Sequence, residues 1–142
     1  MICNINKGVN WAENFASVKH MRVLLAEDNE LNQKVILAML KHLGYRADTL
    51  LNGIDVLLGL KHKRHDLILM NLGLPVMDGL DATRQIRKPF RNGPKIIAVT
   101  AYAFPGMRQK CLKAGMDDFI VKPVRLDELC AVLRNQRSHF GT

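Results

Sequence analysis

From Arg22 onward the chain alternates short apolar runs with longer stripes of helical period. Val23-Leu24-Leu25-Ala26, Leu67-Ile68-Leu69-Met70, Ile96-Ile97-Ala98-Val99 and Phe119-Ile120-Val121 lack the polar alternation of a half-exposed strand. Such runs mark strands covered on both faces. The pattern predicts strands over Arg22–Ala26, Arg46–Leu50, Leu67–Met70, Lys95–Val99 and Asp118–Val121. Leu31, Val35, Ile36, Met39, Leu40 and Leu43 form one helical stripe, and Gly44 ends it. A second helix is expected over Ile54–Leu60 after an Asn52-Gly53 turn, and a third over Leu80–Lys88, closed by Pro89. The fourth runs from Pro105 in its first turn to Ala114, with Gly115 as terminator. The last spans Leu126–Arg137, acidic at its start (Asp127, Glu128) and basic at its end (Arg134, Arg137), as the helix dipole favours. Five strand–helix alternations imply an α/β fold, a doubly wound five-stranded parallel sheet with helices on both faces.

In such sheets ligands sit outside the carboxyl ends of the strands. The apolar runs stop there at Glu27-Asp28, Asn71, Thr100 and Lys122-Pro123. Taken singly, each has a bland reading. Asp28 or Asn29 can cap the following helix, Thr100 is a common strand-end residue, and Lys122-Pro123 is a turn signal. Together, two adjacent acids, a hydroxyl and a lysine suit a metal-assisted phosphoryl site. Paired carboxylates hold Mg²⁺ through hard oxygen donors, and a lysine neutralises phosphoryl oxygens. The missing part is a carboxylate nucleophile, and Asn71 stands where one is expected.

Length and composition narrow the reading. The 142 residues suffice for one domain with a sizeable core. Residues 1–20 have weak periodicity and read as a partly ordered extension, residues 21–137 as the domain, and 138–142 as a tail. No apolar run approaches the roughly 18 residues of a membrane helix, and Met1–His20 lacks the pattern of a secretory signal. Cys3, Cys111 and Cys130 are odd in number and widely spaced, so they read as inert thiols in a reducing cytoplasm. The formal net charge of +8 invites a nucleic-acid reading. The basic residues are scattered, however, and only Lys61-His62-Lys63-Arg64-His65 is dense. Without interleaved aromatics or a helix-turn-helix spacing, a solvated face that steers toward an acidic protein is favoured over direct nucleic-acid binding.

Ala26-Glu27-Asp28-Asn29, Met70-Asn71 through Pro75-Val76-Met77-Asp78-Gly79, Val99-Thr100-Ala101 and Val121-Lys122-Pro123 carry a resemblance. They are similar, in order and spacing, to the receiver domain of two-component response regulators, especially receivers attached to hybrid histidine kinases. The resemblance spans about residues 21–137. It implies a (βα)5 flavodoxin-like fold with strand order 2-1-3-4-5. In that family a histidine kinase or histidine phosphotransfer protein donates a phosphoryl group to an aspartate after the third strand, here the position of Asn71. By the same resemblance, Asp28 ligates Mg²⁺, Glu27 acts largely through water, and the Gly73 carbonyl is a further ligand. Thr100 and Lys122 bind the phosphoryl group, and the Lys122–Pro123 bond is cis. Phe119 falls on the aromatic switch position that moves with Thr100, unless it is an ordinary sheet-edge core residue. Tyr102 lines the same path. The face made by the fourth helix, fifth strand and fifth helix is a candidate homodimer surface, with Lys110, Lys113, Asp117, Asp118 and Arg125 of mixed sign.

Asn71 alters the expected chemistry. An amide has no charge and a delocalised nitrogen lone pair, so it forms no acyl phosphate. Mg²⁺ binding should weaken. The chain is expected to act as a regulatory domain locked unphosphorylated, not as an enzyme. A native asparagine would instead make a pseudo-receiver, a protein-interaction module independent of phosphorylation. A phosphatase on this architecture would place its acids two residues apart, and a flavin carrier would need a phosphate loop where Asp28-Asn29-Glu30 is acidic.

Overall fold

The computed structural model describes residues 21–89 and 91–137. The expected extension (1–20) and tail (138–142) lie outside the described residues. Five strands, β1 (Val23–Ala26), β2 (Ala47–Leu50), β3 (Leu67–Asn71), β4 (Lys95–Thr100) and β5 (Asp118–Val121), alternate with five helices. These are α1 (Glu30–His42), α2 (Gly53–His62), α3 (Gly79–Arg87), α4 (Met107–Ala114) and α5 (Leu126–Arg137). All strand pairings are parallel, in the order β2-β1-β3-β4-β5.

The apolar runs work because successive side chains point to opposite faces. Val23, Leu25, Leu67, Leu69, Ile97 and Val99 face α1 and α5, against Ile36, Leu40, Leu129 and Leu133. Leu24, Ala26, Ile68, Met70, Ile96 and Ala98 face α2, α3 and α4, against Val56, Ala82, Ile86 and Met107. Each fully buried Leu or Ile contributes about 1.5–3 kcal/mol, so both faces of the central strands are committed. Edge strand β2 is only half-buried.

Two boundaries depart from the sequence pattern, and an open choice of cap is decided. Asn52 is the N-cap of α2, accepting the Asp55 N–H at 2.8 Å, so Gly53 opens the helix and is not its preceding turn. A side chain there would collide with the backbone carbonyl of Met77. Pro105 lies before α4, because Gly106, in the left-handed region at φ 91°, turns the chain into the helix. Asn29, not Asp28, caps α1, accepting the Asn32 N–H at 2.9 Å. That division leaves the Asp28 carboxylate to the site. The cysteine expectation is also corrected. Cys111 is a free buried thiol, whereas Cys130 is disulfide-bonded and so is not an inert free thiol.

Candidate phosphoryl-transfer site

Strand register brings the polar strand ends to one edge. Ala26 pairs with Met70, Asn71 with Val99, and Thr100 with Val121, so Glu27-Asp28, Asn71, Thr100 and Lys122 emerge side by side. The adjacent acids have different surroundings. Glu27 is 1% exposed, and its N–H donates to the Leu50 carbonyl at 3.0 Å. Its Oε2 accepts from Lys122 Nζ at 3.0 Å. Its Oε1 accepts from the Asn29 N–H at 3.2 Å and Asn32 Nδ2 at 3.4 Å. Burying a carboxyl group this deeply is costly without such partners. Asp28 is exposed and faces Asn71.

Asn71 is buried, and both ends of its amide are engaged. Nδ2 donates to Asp28 Oδ1 at 3.2 Å, and Oδ1 accepts the Gly73 N–H at 3.3 Å. Turning the amide over would set oxygen against carboxylate and N–H against N–H, so the hydrogen-bond network fixes its orientation. The backbone of Asn71 is held as well. A side chain on Gly79 would strike the Asn71 carbonyl, so only glycine lets the start of α3 sit here. The Gly79 N–H donates to the Leu72 carbonyl at 3.0 Å. Between them, Val76 is left-handed at φ 68°, costing about 1–3 kcal/mol for a branched side chain.

On the other flank, the Lys122 N–H donates to the Thr100 carbonyl at 2.7 Å, and the Lys122–Pro123 peptide is cis. Thr100 is buried, and its Oγ1 accepts the Tyr102 N–H at 3.1 Å. Phe119 is half-buried against the core shared with α2, α3 and α4, whereas the Tyr102 ring is 67% exposed. Glu27, Asp28, Asn71, Gly73, Thr100 and Lys122 stand at this edge, whereas Phe119 pairs with Ala98 two residues short of it, and Tyr102 contributes its backbone N–H while its side chain is exposed. Asn29 and Asn32, which secure Glu27, were not expected at the site. Their positions in and before the first turn of α1, just after the acids, are the only signal for them.

The residues suit a magnesium ion in kind. Glu27 and Asp28 are hard oxygen donors, and Mg²⁺ characteristically takes one or two carboxylates and keeps several waters. Among the described residues no group of three His, Cys, Asp or Glu converges for a metal. The third donor is an amide that turns its N–H toward Asp28. Two carboxylates against the Lys122 ammonium leave one net negative charge, where an aspartate at position 71 would add another.

The face made by α4, β5 and α5 is less mixed in charge than the sequence suggests. Asp117 is taken internally by Arg87 at 2.9 Å and the Ile96 N–H at 2.9 Å, and Arg125 pairs with Asp127 at 3.1 Å. Among the described residues no helix is long and apolar enough to cross a membrane.

The family described as response regulator receiver domain matches residues 23–134. Among curated relatives, Histidine protein kinase 1 of Candida albicans is 40% identical over 135 residues, covering 87% of this chain and 6% of its own length. Two-component system protein A of Emericella nidulans is 43% identical over 114 residues, covering 78% and 17%. The chain thus spans a small part of these relatives. A solved receiver domain of a Pseudomonas aeruginosa sensor histidine kinase, with magnesium coordinated in its active site cleft, superposes with TM-score 0.76 at 44% identity. That match covers 83% of this chain and 98% of the other. A Saccharomyces cerevisiae receiver domain, co-crystallised with a histidine phosphotransfer protein, gives TM-score 0.80 at 27% identity, covering 86% and 92%.

Proposed function

The chain belongs to the response regulator receiver domain family, and from that premise we propose that it is a two-component receiver held unphosphorylated by Asn71 at the phosphoacceptor position. The observation that carries this reading is the intact edge around a neutral amide. Glu27, Asp28, Thr100 and Lys122 stand at the same sheet edge as Asn71, Lys122 is bonded to Glu27, and Asn71 donates to Asp28 where a carboxylate would repel it. Receiver domains are regulatory phosphoacceptors, and acyl phosphate formation needs a carboxylate. The side-chain oxygen of Asn71 is instead committed to the Gly73 N–H.

In this reading Asp28, with Glu27 and the Gly73 carbonyl, holds magnesium, which when bound offsets charge on phosphoryl oxygens. With an aspartate at position 71, Lys122 would exchange its Glu27 partner for a phosphoryl oxygen, the Thr100 hydroxyl would donate to it, and Phe119 would follow Thr100, with Tyr102 drawn along by its N–H bond to Thr100. With an aspartate at position 71 the donor would be a histidine kinase or histidine phosphotransfer protein. Leu31 and Val35, one turn apart on α1, stand exposed near the mouth with Val76 and Phe104, and such apolar patches suit a partner surface. Homodimerisation through α4, β5 and α5 finds less support, since that face keeps the exposed cations Lys110 and Lys113 while Asp117 is bonded internally.

Incubation with acetyl phosphate and magnesium, read by intact mass, tests the reading. The chain should stay unmodified, and Asn71→Asp should gain one alkali-labile phosphoryl group. A phosphoryl adduct on Asn71 would refute the locked state. The exposed apolar rim also favours a second reading, a pseudo-receiver that binds its partner regardless of phosphorylation. Equal affinity of a histidine phosphotransfer protein for this chain and for phosphorylated Asn71→Asp would select it.

A further inference from the structure

Cys130 lies in the second turn of α5, is 6% exposed and is disulfide-bonded. Cys111 on α4 is a free buried thiol, and burial pushes it above its ordinary range, which makes it a poor partner in exchange. The chain has three cysteines, so within one copy Cys3 is the remaining candidate for the other half of the bond. The fold lets the chain return that far. Met21 shares one core with Leu129, Val132 and Leu133 of α5, so the chain enters β1 on the face of the sheet that α5 covers. The stretch from Cys3 to Met21 can span about 60 Å extended or about 27 Å as a helix, against roughly 18 Å for the whole of α5. Reach therefore sets no limit on bringing the two Cα atoms within the 7 Å or so that a disulfide needs. The same stretch carries Trp11, Phe15 and Val18 at helical spacing, an apolar stripe that is better covered than left in water.

We infer that Cys3 and Cys130 form an intramolecular disulfide, a thiol-sensitive latch that holds the segment before β1 against the domain. The oxidant is a low-molecular-weight disulfide such as oxidised glutathione. The Cys3 thiolate attacks one of its sulfurs, forming a mixed disulfide and releasing one glutathione thiolate. Cys130, once deprotonated, attacks the Cys3 sulfur, and the second glutathione thiolate leaves as the new S–S bond forms. Two protein thiols are oxidised to one disulfide, and one oxidised glutathione is reduced to two thiols. The burial of Cys130 assigns the first exchange to Cys3. Excess small-molecule thiol runs the exchange backwards and releases the segment. The latch does not depend on which residue stands at position 71.

Tryptic mapping of the full chain, treated with oxidised glutathione and then denatured in iodoacetamide, tests this. Cleavage after Lys7, Arg125 and Arg134 should leave residues 1–7 joined to residues 126–134, with Cys111 alone alkylated. Trp11 is the sole tryptophan, and its emission should move to the red when reductant frees the segment. Cys3→Ser should show the reduced emission with or without reductant. It should also lower Tm by about 5 °C or more, because a crosslink closing so long a loop constrains the unfolded chain. Cys111→Ser should keep both the joined peptides and the response to reductant. Alkylation of Cys130 in the oxidised chain, a bond to Cys111, a link between two copies, an unchanged Tm in Cys3→Ser, or Trp11 emission indifferent to reductant would overturn the proposal.

Discussion

Asn71→Asp should make the chain less stable without magnesium, and magnesium should restore it. The substitution replaces an N–H donated to Asp28 Oδ1 at 3.2 Å by a second carboxylate oxygen. Two unit charges at that separation repel by about 1.3 kcal/mol in bulk water and by about 5 at an effective dielectric near 20. Asp28 is exposed while Asn71 is buried, so the cost lies toward the lower bound, about 2 kcal/mol. Loss of the hydrogen bond adds about 0.5–1.5 kcal/mol. For a domain of this size each kcal/mol moves Tm by roughly 3–5 °C, giving a fall of about 8–15 °C in EDTA. Magnesium binding to the folded state alone raises Tm through mass action. It should recover at least half of the loss in Asn71→Asp and move the parent chain much less. Differential scanning calorimetry of both chains, in EDTA and in saturating magnesium, reads all four values. An Asn71→Asp protein as stable as the parent in EDTA would refute the electrostatic account, and so would equal magnesium stabilisation of both.

Other outcomes follow from single contacts. Lys122→Ala strands the buried Glu27 carboxylate and should cost about 2–4 kcal/mol in urea unfolding; Lys122→Met combined with Glu27→Gln should cost less than Lys122→Ala alone. Arg87 donates to the Gly115 and Pro94 carbonyls at 2.8 Å and to Asp117 at 2.9 Å, so Arg87→Met should lose about 3 kcal/mol from charged hydrogen bonds, measured in the same way. Hydrogen bonds from Lys63, then from His65, hold the Asp48 carboxyl below its usual range. A depressed folded pKa gives stability that is present above the unfolded value and lost as pH falls through the folded one. Asp48→Asn should therefore flatten the acid-side fall of Tm below about pH 4, and an unchanged acid limb would remove Asp48 from that role.

The parts of this architecture that are legible in sequence are those set by local period and burial. A parallel strand covered on both faces must be continuously apolar, so β1, β3 and β4 show themselves, and their carboxyl ends are found by where the apolar run stops. What the sequence hides is decided by distant chain. Gly53 belongs to α2 because the Met77 carbonyl docks against it, and no residue near Gly53 signals that contact. The His65–Asp48 bond joins the α2–β3 loop to an edge strand whose polar residue reads as solvent-facing. Glu27 and Asp28 are chemically alike neighbours, and only the fold buries one beneath Lys122 and leaves the other at the mouth.

Under the proposed function, that separation explains why one amide would hold the whole edge at rest. Glu27 already has the Lys122 ammonium and amide donors from Asn29 and Asn32, so it makes little demand for a cation. Asp28 is the acid without a cationic partner, and its Oδ1 instead accepts from Asn71 Nδ2 at 3.2 Å. The amide thus does two things with one group. It removes the nucleophile, and it gives Asp28 a neutral hydrogen bond in place of the repulsion that would otherwise favour a metal. Lys122 then has no competing anion to draw it from Glu27. The Thr100 hydroxyl oxygen stays with the Tyr102 N–H.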